Sequence, residues 1–151
     1  MLRVVISDTS VLIVFSKIEQ LDLLKGLYSK VYTTPEIVEE FGESLPDWVV
    51  IESVKDKKYQ ESLETQIDKG EASALALAKE FNDCLILLYD LKARRLAEKL
   101  NLSFTGSLGI IHKAKQMGII DRVKPIILKL IESGFRISDA LVSEILRLNN
   151  E

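Results

Sequence analysis

The sequence predicts an α/β fold with a central, mostly parallel sheet flanked by helices, and three observations predict it. Short β-rich apolar runs alternate with helical patterns along the whole chain. One of them, Cys84–Tyr89, is continuously apolar, the mark of a strand buried on both faces. Two of the apolar runs end on an acid, Asp8 and Asp90, and in parallel sheets ligands bind outside the carboxyl ends of the strands.

The elements follow in order. Leu2–Ser7 reads as a strand closed by Asp8, followed by a helical stretch around Val11–Phe15 and a second containing Leu21, Leu24 and Leu27. Lys30–Thr33 is a short strand. Thr34-Pro35 starts a helix, since Thr can cap it and Pro fits its first turn. Trp48–Val54 is β-rich, and residues 57–67 are polar and helical. Gly70 precedes a helix over Glu71–Phe81. After the buried strand come a helix at Leu91–Leu100, a last strand at Leu102–Thr105 and three closing helices. Gly134 can end one of these in a left-handed conformation, Ser138 can cap the next, and Ile137 with Val142 would staple it. Leu141, Val142, Ile145 and Leu146 give that helix one apolar stripe, which closes the core or meets a partner.

A length of 151 residues, 47% hydrophobic and 28% charged, points to one domain over residues 1–151, with helices in 121–149 closing the core or forming a partner surface. One Cys excludes a disulfide framework and a multi-Cys zinc site, and suits a reducing cytoplasm. No apolar run approaches the roughly 20 residues of a membrane span, and the start lacks a signal peptide's apolar stretch, so a cytoplasmic location is expected. The net charge of −3 divides into −8 over residues 1–90 and +5 over residues 91–151. An acidic half offers carboxylates for cations, and a basic half can hold polyanions.

Each acid has a plain structural reading beside the functional one. Asp8 and Asp90 could simply cap the helices that follow them. Glu71 shares a helix face with Ala74, Leu75 and Ala78; it needs a partner there unless the first turn is exposed, where it merely complements the helix dipole. Glu36, Glu39, Glu40 and Glu43 form one acidic face, ordinarily a solvated one. Glu40 lies roughly 105° from the centre of the buried side, against about 150° or more for the others, so it is best placed to point inward, with Glu39 as the fallback.

If Asp8, Glu40, Glu71 and Asp90 converge, each pair about 6 Å apart repels by roughly 3 kcal/mol at an effective dielectric near 20. Six such pairs cost on the order of 15 kcal/mol, comparable to a whole folding free energy. The cluster must bind cations, take up protons or stay hydrated, and all-oxygen ligands select hard ions such as Mg²⁺ or Mn²⁺. Such ions activate water and stabilise the charge of phosphodiester cleavage.

The chain resembles the PIN-domain family, in the branch of VapC-like toxin ribonucleases and relatives of uncertain function. The match is carried by Ser7-Asp8-Thr9-Ser10, Pro35-Glu36-Ile37-Val38-Glu39-Glu40-Phe41, Gly70-Glu71-Ala72, Asp90-Leu91-Lys92-Ala93-Arg94-Arg95 and Thr105-Gly106-Ser107-Leu108-Gly109. The resemblance implies a three-layer fold and a metal-dependent ribonuclease whose acids are Asp8, Glu40, Glu71 and Asp90, with Mg²⁺ or Mn²⁺ as cofactor. It implies that Thr9, Ser10 or Thr105 assists water or phosphate. It also implies an RNA substrate, a small antitoxin protein and a homodimer. Relatives in this branch often carry Asp-Asp where Tyr89-Asp90 stands here.

Lys92, Arg94 and Arg95, with Lys99 beyond them, could grip phosphates flanking a cleaved bond, or could be an ordinary solvated helix face. His112 has no second His and reads as a surface or core residue, and Cys84 as a small core residue. Gly106 and Gly109 form neither a Walker motif nor a dinucleotide fingerprint. Haloacid-dehalogenase-like phosphatases need an Asp where Ser10 stands, and a phospho-receiver needs an acid pair where Asp8-Thr9 supplies one acid. The rival outside enzymology is a PIN-like module with an impaired site that binds RNA or protein without cutting.

Overall fold

The computed structural model describes residues 3–151. Its described residues form a five-stranded, all-parallel sheet with nine helices. The strands are β1 (Val4–Ser7), β2 (Val31–Thr33), β3 (Val49–Ile51), β4 (Cys84–Leu87) and β5 (Ser103–Thr105), in the spatial order β3-β2-β1-β4-β5. The helices are α1 (Thr9–Lys17), α2 (Leu21–Tyr28), α3 (Pro35–Phe41), α4 (Lys57–Leu63), α5 (Lys69–Ala78), α6 (Leu91–Lys99), α7 (Ser107–Gln116), α8 (Lys124–Glu132) and α9 (Asp139–Leu148). The expected start of β1 at Leu2 lies outside the described residues.

Apolar burial sets this arrangement. Ile6 in β1 and Ile86 and Leu87 in β4 are fully enclosed, because helices cover both faces of the sheet. Cys84 is buried as well, and burial chiefly pushes its thiol up to about 12, so it carries no nucleophilic chemistry near neutrality. Thr34 caps α3 through Ile37, Pro35 occupies the first turn, and Ser138 caps α9 through Leu141.

Two boundaries differ from expectation in ways that shape the site. β4 ends at Leu87 rather than Tyr89: the Leu88 amide closes the ladder on the Thr105 carbonyl, and Tyr89 beyond it is 41% exposed. α5 begins at Lys69, so Gly70 lies within the helix instead of before it. The helix is also buried all round, with every residue from Ala72 to Ala78 enclosed, so its pattern marks no single core face.

The closing helices divide the two roles expected of 121–149. α8 buries Ile126, Ile127 and Leu130 in the core. α9 buries no residue fully and lays Val142, Ile145 and Leu146 against the core surface. Among the described residues, no helix is long and apolar enough to cross a membrane.

Candidate active site

Sheet register brings the site together. Ser7 pairs with Leu87 and Leu87 with Thr105, so β1, β4 and β5 end level with one another. The next residues, Asp8, Leu88-Tyr89-Asp90 and Gly106, therefore share one edge of the sheet, each leading into a helix.

Asp8 is completely buried. The Val11 amide donates to its Oδ1 at 2.8 Å and the Tyr89 amide to its Oδ2 at 3.0 Å. It thus caps α1 and ties the end of β1 to the end of β4, so the plain reading and the site reading both hold for one side chain. Burial nevertheless dominates and pushes the carboxyl up to about 6, against the lowering effect of the two amides and of the Arg94 guanidinium. Asp90 caps α6 through the Ala93 amide at 3.1 Å and remains partly open.

Glu71, in the first turn of α5, is half-buried. Its carboxyl is pushed up to about 7, first by burial and then by the charges of Asp90, Asp8 and Asp68. Together with Ser10, Tyr89 and Lys92, Glu71 and Asp90 line a cleft of about 590 Å³ whose acids also include Glu64 and Asp68.

Glu40 is placed differently. It is exposed, and its Oε1 accepts from the Thr9 hydroxyl at 3.0 Å. The carboxylate lies across Gly70, where a Cβ would collide with it, which accounts for a glycine inside α5. Glu40 and the exposed Glu39 belong with Gly70 to a neighbouring recess rather than to the acidic cleft. The best-shielded acid of this face is Glu36, which periodicity alone leaves in solvent. Its side chain is 14% exposed, because α4 covers it with Gln60, whose Nε2 donates at 2.6 Å, and with Lys57 at 3.6 Å.

The basic run also separates. Lys92 and Arg95 are exposed on α6, as is Lys99. Arg94 turns inward, donating from Nε at 3.0 Å and Nη2 at 2.9 Å to the Leu88 carbonyl, and its guanidinium fills the space above Gly106. Thr105 rests its hydroxyl over Gly109. His112 pairs with Asn149, consistent with a structural role.

Two residues of this region have no role in the sequence reading. Ser107, inside the Thr105–Gly109 motif, is buried with a hydroxyl that has no hydrogen-bond partner among the described residues, and Phe135 meets Tyr89 edge-on with ring centroids 5.3 Å apart. Phe135 follows a turn that carries no local signal of a site.

A family model described as a PIN domain matches residues 4–151. The chain belongs to the PIN-domain family. No curated protein gives a significant match. PIN domains are generally nucleases and generally use divalent metals. In this PIN domain the donor chemistry fits such a cation: Asp8, Glu71 and Asp90 offer only oxygen, and burial above all raises the carboxyls of Asp8 and Glu71. Among the described residues, no three His, Cys, Asp or Glu side chains are drawn together as one ready-made metal cage. Asp8 has turned both oxygens to amides, and Glu40 is held by Thr9.

Proposed function

We propose that this PIN domain is a Mg²⁺- or Mn²⁺-dependent endoribonuclease, acting on single-stranded or structured RNA, with Asp8, Glu71 and Asp90 as its central acids. The observation that carries this reading is the gathering of carboxyl groups from separate segments at the level ends of β1 and β4. The charges of Asp90 and Asp8 add to burial in raising the Glu71 carboxyl, and among the described residues no Lys or Arg forms an ion pair with it. Asp90 and Glu71, with Asp8 behind them, would hold a divalent cation, which would supply Lewis-acid chemistry for hydrolysis of a phosphodiester bond.

The chain's own residues do the rest. Asp8 fixes the junction of α1 and β4, so that Asp90 is presented at a constant position. Glu40, aligned by Thr9, contributes negative charge at the border of the cleft. Ser10, which lines the cleft, and Thr105, at the end of β5, offer hydroxyls to water or phosphate. Lys92 and Arg95 bind phosphates on either side of the reacting one, while Arg94 holds the α6–α7 junction and tempers the charge on Asp8.

The VapC-like resemblance of the motifs supports a toxin of a toxin–antitoxin pair, with a small antitoxin protein as partner and a homodimer as the working form in the cytoplasm. A second reading, an impaired PIN-like module that binds RNA or protein, is favoured by the absence of a three-acid cage among the described residues and by Tyr89 beside Asp90. Cleavage of single-stranded RNA in Mn²⁺ decides between them. Asp90→Asn should abolish cutting and leave RNA binding within a few-fold, whereas an intact wild-type protein that binds RNA and never cuts it would establish the binding module.

A further inference from the structure

A second cleft, of about 490 Å³, opens between the starts of α6 and α7 and the connection from α8 to α9. It shares Tyr89 and Asp90 with the acidic cleft, so those two residues form a ridge common to both. Its chemistry is otherwise opposite. The acidic cleft holds four carboxylates and one cation, Lys92. The second has Asp90 as its only acid, beside Arg94 and Arg136 and an aromatic wall of Tyr89 and Phe135.

The Tyr89 ring is 41% exposed and inclined at 73° to that of Phe135, so Phe135 props it without stacking against it. Its backbone is pinned by the bond from its amide to Asp8. Arg136 is exposed and makes no ion pair among the described residues. Ser107 lines the same cleft with a buried hydroxyl that has no partner among the described residues. A ligand that suits these groups together has a flat aromatic part and an anionic part, and the volume falls within the usual range for small-ligand sites.

We infer that this cleft is a nucleotide subsite: it seats one nucleotide of a single-stranded RNA, with the base on Tyr89 and the phosphate toward Arg136, next to the bond held at Asp90. The identity of the polymer rests on the ribonuclease reading. Strandedness follows from the stacking, because a base must leave its own helix before an aromatic ring can cover it.

The test uses the full chain, a short single-stranded oligoribonucleotide containing 2-aminopurine, and Ca²⁺ in place of Mn²⁺ for the binding arm. Wild type should quench the probe and bind it more tightly than the corresponding duplex. Tyr89→Leu should remove the quenching and weaken binding about tenfold, the usual scale for one base–aromatic stack. Tyr89→Phe should keep both. Arg136→Ala should weaken binding and reduce its salt slope by about one. If Tyr89→Leu quenches, binds and, in Mn²⁺, cuts like wild type, the subsite is overturned while the ribonuclease reading stands. The same outcome accompanied by altered self-association assigns the cleft to protein contact and equally overturns it. Tyr89-dependent quenching without any cutting in Mn²⁺ supports the subsite and removes the ribonuclease. RNA neither bound nor cut overturns both.

Discussion

Two groups of carboxylates in this molecule are withdrawn from water and treated in opposite ways. Near the C-terminal end, the Glu151 side chain is 5% exposed and meets Lys115 at 2.8 Å, Arg122 at 3.5 Å and the amides of Val123 and Lys124 at 2.8 and 3.1 Å. Burial raises its carboxyl, but those partners outweigh burial and hold it down at about 2. At the sheet edge, burial works on Asp8 and Glu71 with far less compensation, and the carboxyls stand at about 6 and 7. Charge in the first place joins α7, the start of α8 and the end of the chain. Charge in the second is left short of a counter-ion. A fold that satisfies one shielded acid with two cations and two amides, and leaves Asp8 and Glu71 with raised carboxyls, supports the proposal that a cation or substrate completes the sheet edge.

The comparison can be tested hardest where the acid is satisfied. Glu151→Ala strands Lys115 and two amides, and should cost about 2–4 kcal/mol in urea unfolding at pH 7. A change too small to measure would dissolve the contrast. Acid titration should separate the two regions by sign. Glu151 titrates at about 2 in the fold against an ordinary 4.5, so its contribution is present above pH 4.5 and is lost as pH falls toward 2. Asp8 and Glu71 hold protons that the unfolded chain, with ordinary values of 3.8 and 4.5, has already released. Their ionisation therefore lowers stability as pH rises from about 4 to about 7. In the metal-free protein, stability should pass through a maximum near pH 4–5 unless other groups displace it, and Glu71→Gln should flatten the alkaline side of that curve. At the small end, Arg147→Ala removes the exposed i,i+3 pair with Glu144 at 2.6 Å and should leave the unfolding midpoint unchanged.

How much of this was legible in the sequence depends on how local the cause is. The strands, their helices and the placement of Asp8 and Asp90 follow from short apolar runs, Val4-Val5-Ile6 and Cys84–Tyr89, and the acid that closes each, because burial on both faces of a parallel sheet writes itself into consecutive positions. Periodicity leaves Glu36 in solvent because its cover, Gln60 and Lys57, comes from another helix more than twenty residues away. Local pattern places Gly70 before its helix; its reason for being glycine is the Glu40 carboxylate of α3, which no local pattern displays. Arg94 looks in sequence like its neighbours Lys92 and Arg95, yet its different phase on the helix, one residue from Arg95 and two from Lys92, turns it toward Leu88 and Gly106. The Glu151 latch has no sequence signal, since a single Glu beyond a polar Asn pair is ordinarily solvated.

The central claim, that the sheet edge gives up stability in exchange for a cation site, is tested most directly by urea unfolding of wild type and Glu71→Gln at pH 8, with and without Mn²⁺. Without metal, the variant should be the more stable by about 1–2 kcal/mol, a figure reduced from the full shift because Glu71 is only half-buried. Mn²⁺ should raise the wild-type midpoint and raise that of the variant less, closing or reversing the gap. A variant that is less stable without metal, or an equal response of both proteins to Mn²⁺, would contradict the claim.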